Sequence, residues 1–220
     1  MTRTPPRGIA LAAVAGLAIA LGGCGSDDAP GGSAAPTTPG TADAAPRTSS
    51  AAPAPEGPFG EGCAAVPPEG PGSVAGMGAV PVVTAAGSTP MLSRLVQAVQ
   101  AADLVETLDT TQEITVLAPS DAAFEAVPAD ALQGLLGDTP ALTALLTHHV
   151  LPGRLTPAEL VGTHTTLNND EVTIEGSGLE LGIGAEGTVV GAEASVVCGN
   201  LQTANATVYV IDQVLQPAEG

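Results

Sequence analysis

Residues 113–124 read EITVLAPSDAAF, and residues 205–215 read NATVYVIDQVL. In the first stretch, residues 113–118 are rich in β-formers and predict a strand that stops at Pro119, which has no N–H to give a ladder. Ser120 then stands where an N-cap belongs, ahead of a short helix running through Phe124. In the second stretch, Val208-Tyr209-Val210-Ile211 is apolar at every position, hence on both faces, as expected of a strand at the centre of a sheet.

Outward from these two runs, the first half of the chain is helical. Thr89-Pro90, Thr139-Pro140 and Thr156-Pro157 each predict a helix start, with the Thr hydroxyl as cap and Pro at the first helical position. Leu92, Leu95, Val96 and Val99 follow i, i+3, i+4, i+7 spacing, and Leu142, Leu145, Leu146 and His149 repeat it, so each helix buries one face. The second half predicts a β meander of short runs at 163–167, 171–175, 179–183, 194–198 and 207–215. Their separators are Asn168-Asn169-Asp170, Gly176-Ser177-Gly178, Ala185-Glu186-Gly187 and Gly199-Asn200. Helices first and strands later give an α+β class, a small sandwich or wedge with helices packed at one side.

The run from Thr115 through Ala118-Pro119 to Ala123-Phe124 resembles the first signature of the fasciclin (FAS1) domain, T-V-x-A-P-x-x-x-A-F. Asn205 through Ile211-Asp212 to Leu215 resembles the second, N-G-x-h-h-h-I-D-x-V-L. Leu146-Thr147-His148-His149-Val150-Leu151-Pro152-Gly153 resembles the central L-x-Y-H-V-h-x-G segment. The flanks Gly62-Cys63-Ala64-Ala65, Gly70 to Met77 and Pro90 to Ser93 resemble the mycobacterial secreted immunogenic fasciclin antigens and their cell-surface lipoprotein relative. The resemblance implies the fasciclin fold and structural roles for Thr115, Ala118, Pro119, Phe124, His149, Asn205, Ile211 and Asp212. It also implies a disulfide between the domain cysteines. Two positions depart from the pattern. His148 replaces the usual Tyr of a segment linked with integrin binding in animal members, so that activity is not carried over. Ala206 replaces Gly, leaving Asn205 to supply any left-handed backbone at the turn.

The N-terminus predicts export. Arg3 and Arg7 precede an uncharged run at 9–21, whose 13 residues of helix reach about 20 Å, short of the roughly 30 Å needed to cross a bilayer. Leu21-Gly22-Gly23-Cys24 directly afterwards resembles the lipobox of bacterial lipoproteins, in which the Cys is acylated and becomes the mature N-terminus. Residues 1–23 are then a signal peptide and Cys24 the lipid anchor. Residues 24–58 are rich in Pro, Ala, Gly and Thr, with no aliphatic side chain larger than Ala between 25 and 58. Such a segment buries too little to fold, so it predicts a disordered tether, with hydroxyls suited to O-glycosylation. Residues 59–220 form the single domain.

Once Cys24 is assigned to lipid, Cys63 and Cys198 remain, 135 positions apart. An even pair in an oxidising compartment reads as a disulfide, closing a loop worth on the order of 4–5 kcal/mol by chain entropy. The competing reading, a metal site, lacks any C-x-x-C spacing. The chain has 23 acidic and 5 basic residues, a formal charge of −18, and no lysine. Removing residues 1–23 takes away Arg3 and Arg7 and no carboxylate, leaving −20. That charge excludes nucleic acid and electrostatic docking on anionic lipid, and points to a partner with a basic patch.

Other signals carry little chemistry. Gly182-Ile183-Gly184-Ala185-Glu186-Gly187 matches G-x-G-x-x-G, but a strand and turn follow it where a dinucleotide site needs a helix. His148 and His149 point about 100° apart on a helix and cannot easily share an ion. His149 alone falls on the apolar face, as a buried structural histidine. Asn169-Asp170-Glu171 reads as a solvated turn, and the sequon at Asn205-Ala206-Thr207 as a turn rather than a glycan site. No catalytic motif, cofactor or metal site is expected. The sequence therefore predicts a monomeric, non-enzymatic, lipid-anchored module for adhesion or recognition on the extracytoplasmic face of the cell membrane, with a shed or secreted fraction. The alternative is a carrier of a small apolar ligand, lipid or pigment, held between helices and sheet; a histidine-dependent hydrolase is a distant third.

Overall fold

The computed structural model describes residues 57–217. The expected signal peptide, Cys24 and the tether up to residue 56 lie outside them. Among the described residues the helices are α1 (Val74–Met77), α2 (Val82–Gly87), α3 (Ser93–Ala101), α4 (Val105–Thr110), α5 (Asp121–Ala126), α6 (Ala129–Gly137) and α7 (Thr139–His148). The strands are β1 (Ile114–Pro119), β2 (Val150–Pro152), β3 (Gly162–Thr165), β4 (Glu171–Ser177), β5 (Glu180–Ile183), β6 (Ala194–Gln202) and β7 (Ala206–Ile211). One sheet takes them in the order β2-β1-β7-β6-β5-β4-β3. From β3 to β7 it is an antiparallel meander, and β1 inserts parallel to β7, from Ile114 opposite Ala206 to Pro119 opposite Ile211. The Leu167 N–H, just past β3, donates to Val150 O at 2.8 Å, so the sheet nearly closes on itself.

Strands apolar on both faces separate two cores. Val116, Ala118, Val208 and Val210 face the helices, with Phe124, Leu142 and Leu145. Leu117, Tyr209 and Ile211 face the other way, against Val172, Ile174, Leu181 and Ile183 inside the folded sheet. Side-chain period two makes this division automatic, and each fully buried aliphatic side chain contributes roughly 1.5–3 kcal/mol. The architecture is the α+β wedge expected, with β7 central and buried throughout.

Several local expectations are corrected. Ser120 does cap α5, accepting the Ala123 N–H, but the Thr-Pro rule succeeds only in part. α7 is capped by Asp138, one residue before Thr139, because its carboxylate reaches the Ala141 N–H at 3.1 Å. Thr89 makes no cap; its buried hydroxyl donates to Ala85 O at 3.1 Å. Thr156 and Glu159 do cap each other reciprocally, around a single turn. Gly199-Asn200 is not a turn but a bulge within β6, with Asn200 at φ 57°. Glycine is required there because the Phe59 ring lies 2.4 Å from where a Cβ would stand, packed edge-on to Tyr209.

Candidate functional site

The signature residues form an internal frame. Thr115 is buried in β1; its hydroxyl donates to Gly153 O at 2.7 Å and accepts the Leu155 N–H at 2.9 Å, tying the sheet to the chain leaving β2. Ala118 and Phe124 pack in the helix-side core. Pro119 ends β1 beside Ile211, whose carbonyl accepts the Ser120 N–H at 2.9 Å. Asp212 accepts the Ser195 N–H at 2.7 Å, fastening β6 to the end of β7. Cys63 and Cys198 are joined, with Cα atoms 4.9 Å apart, linking the start of the domain to β6.

Asn205 does something other than expected. Its backbone is not left-handed. Its carboxamide is held from both ends: Oδ1 accepts the Val82 N–H at 2.9 Å, and Nδ2 donates to Leu108 O and Thr111 O, each at 2.7 Å. The side chain thus clamps α2 and α4 to the start of β7. Asn205 is 2% exposed, so the sequon is not presented to solvent.

Both adjacent histidines are buried, each 2% exposed, which corrects the reading that only His149 faces inward. His149 Nδ1 donates to Leu145 O at 2.7 Å and Nε2 accepts the Leu215 N–H at 3.0 Å, which fixes the neutral tautomer. Burial lowers its pKa to about 4. His148 lies at the C-terminal end of α7, where the chain turns inward, and its Nδ1 donates to Asp170 Oδ1 at 2.7 Å. Asp170 also accepts from Thr166 and from Asn168 Nδ2. Partial burial works against its carboxylate, but these hydrogen bonds outweigh it and hold the carboxyl below the ordinary aspartate range. The turn at 169–171 is solvated at Asn169 and Glu171, as expected, while Asp170 anchors it from within; Asn169 supplies its left-handed residue. Nothing local in the sequence marked Asp170 as the partner of His148. His164, half-buried on β3, donates to Leu160 O at 3.0 Å.

Beside His148 opens a recess of about 320 Å³, lined by Glu171, Thr173, Glu186 and Gln216. Its wall includes the G-x-G-x-x-G stretch, folded as the end of β5 and a 3-10 turn at Ala185–Gly187. Among the described residues no group of three or more His, Cys, Asp or Glu could hold a metal ion, and no helix is long and apolar enough to cross a membrane. Those residues carry 18 carboxylates and two arginines. Arg154 is committed to Gln202 Oε1 at 3.0 Å and Thr203 O at 2.7 Å; Arg94 meets Glu125 at 3.2 Å.

The apolar space lies elsewhere than expected. Between helices and sheet the gaps are about 30 and 20 Å³, room for a water or two. A cleft of about 90 Å³ lies instead among α3, α5, α6 and α7, lined by Phe124, Leu132, Leu135, Leu142 and Leu145, with Arg94 at its edge.

Residues 90–217 match the fasciclin domain family model. The chain is 42% identical over 218 residues to the cell surface glycolipoprotein MPB83 of Mycobacterium bovis, covering 94% of each. It is 43% identical over 166 residues to the immunogenic protein MPB70 of the same species, covering 72% of this chain and 81% of that one. Among solved structures, a fasciclin domain pair from the insect cell adhesion molecule fasciclin I superposes with a TM-score of 0.51 at 17% identity, covering 66% of this chain and 52% of that one.

Proposed function

This chain belongs to the fasciclin family, and we propose on that premise that it is a lipid-anchored, non-enzymatic adhesion or recognition module of the bacterial cell surface. The observation that carries this is the extent of the match to the cell surface glycolipoproteins. Only 6% of 220 residues, about 13, fall outside it, too few to reach Cys24 from either end. Leu21-Gly22-Gly23-Cys24 thus lies within the matched span. Acylation there holds the domain outside the membrane, the segment 24–58 serves as tether, and its Thr and Ser hydroxyls suit O-linked sugar. The Cys63–Cys198 bridge fits an oxidising compartment. A non-catalytic role is supported by His149, whose two ring nitrogens are both engaged inside the fold.

The partner in this reading presents a basic patch. The eighteen carboxylates of the described residues, against two arginines, repel anionic surfaces, nucleic acid included, and Glu171 and Glu186 offer a recess to a cationic side chain. The domain acts as a monomer. Fractionation of cells expressing Cys24→Ala tests the anchor: the variant is expected in the medium or as unprocessed precursor. Unchanged mass and membrane retention would refute it.

The cleft beneath α6 favours a second reading, a carrier of a small apolar ligand. Native mass spectrometry of protein from its own host distinguishes the two, since a co-purifying lipid or pigment marks the carrier.

A further inference from the structure

We propose that the cleft beneath α6 is a binding site for a hydrocarbon chain ending in a carboxylate, with Arg94 taking the head group; this rests on the carrier reading. α6 has five Ala or Leu residues in nine and buries none of them. Leu132 and Leu135 lie half-buried over the cleft, and Leu136 is 46% exposed. Among the described residues, no side chain of α6 hydrogen-bonds to the rest of the molecule, so apolar contact alone holds the helix down. Admitting a chain larger than the resting 90 Å³ requires α6 to lift, and few contacts oppose that. Beneath it Phe124, Leu142, Leu145 and Val214 offer a floor without a charged group, suited to methylenes and to nothing polar.

The rim decides the head group. Arg94 lines the cleft and is 44% exposed there. Its backbone N–H already satisfies Asp121, and its guanidinium touches Glu125 through one nitrogen at 3.2 Å. An ion pair that exposed is weak, and a guanidinium carries five N–H donors, so Arg94 can take a second carboxylate in bidentate fashion. Elsewhere the surface is acidic, and Arg154 is bound to Gln202 and Thr203. An anionic head on an apolar tail thus finds a cation beside the groove that accepts the tail.

The test is calorimetric titration of the full chain carrying Cys24→Ala, which removes its own acyl chains. The probes are dodecanoate and dodecanol, below their aggregation concentrations. Saturable binding of both is expected, with dodecanoate about tenfold tighter, as for one added charge-assisted contact. Arg94→Gln should remove that preference, and Leu135→Glu should weaken both ligands at least tenfold while the melting temperature holds. Equal affinity for the two probes would overturn the head-group assignment yet leave the carrier reading standing. No saturable binding of either would overturn the cleft as a hydrocarbon-chain site, the carrier reading itself being decided by what co-purifies. Wild-type affinity in Leu135→Glu would show that the tail lies elsewhere.

Discussion

His149 Nε2 accepts the Leu215 N–H at 3.0 Å, a bond across 66 positions that joins the end of α7 to the segment after β7. Because Nδ1 donates to Leu145 O, the ring must be neutral to serve both partners. Burial lowers its pKa from 6.5 to about 4, so the unfolded chain takes up a proton more readily than the native one. The resulting stability is complete above about pH 6.5 and is lost as pH falls toward 4, by about 3 kcal/mol. Urea unfolding across that range should show the decline, and His149→Ala should lack this part of it.

The same alanine variant should lose about 3 kcal/mol at neutral pH, because it opens a cavity and strands two buried backbone groups. His148→Ala should also destabilise, by about 1–2 kcal/mol, since Asp170 keeps Thr166 and Asn168 as partners. A His148 variant as stable as wild type would show that the Asp170 contact is dispensable.

Asn205 is the sharper test of the frame. Asn205→Asp preserves shape but sets a carboxylate oxygen against Leu108 O and Thr111 O, where Nδ2 now donates. It should cost about 3–5 kcal/mol, at least as much as Asn205→Ala. If the aspartate variant melts with wild type, the carboxamide is not the clamp described.

Much of this was legible in the sequence, because strands apolar on both faces and a Ser after Pro119 carry their own physical reasons. The long-range partners were not. The three groups that meet Asn205 come from positions 82, 108 and 111, which no local pattern connects. Val150-Leu151 gave too short a run to read as β2, and α2 begins with two β-branched residues that disfavour a helix until tertiary packing overrides them. Helical spacing sets His148 about 100° from His149 and off the Leu142/Leu145/Leu146 face, yet His148 is buried too, because Asp170 of the distant hairpin turn meets it.

The bridge between Cys63 and Cys198 should make the intact mass of the unreduced domain about 2 Da lower than that of the reduced form. Replacing either cysteine with Ser should cost about 2–5 kcal/mol by urea unfolding. Two titratable thiols in freshly exported protein would refute the bridge.

Charge selects the partner in the proposed recognition role, since the described residues set 18 carboxylates against Arg94 and Arg154. The most direct measurement is the rate at which a partner captured from envelope or host-matrix extract associates with the immobilised domain, at about 0.05 M and about 0.5 M salt. A clear fall in the on-rate at the higher salt is expected, since screening removes the steering attraction. A salt-independent on-rate would contradict charge-steered recognition.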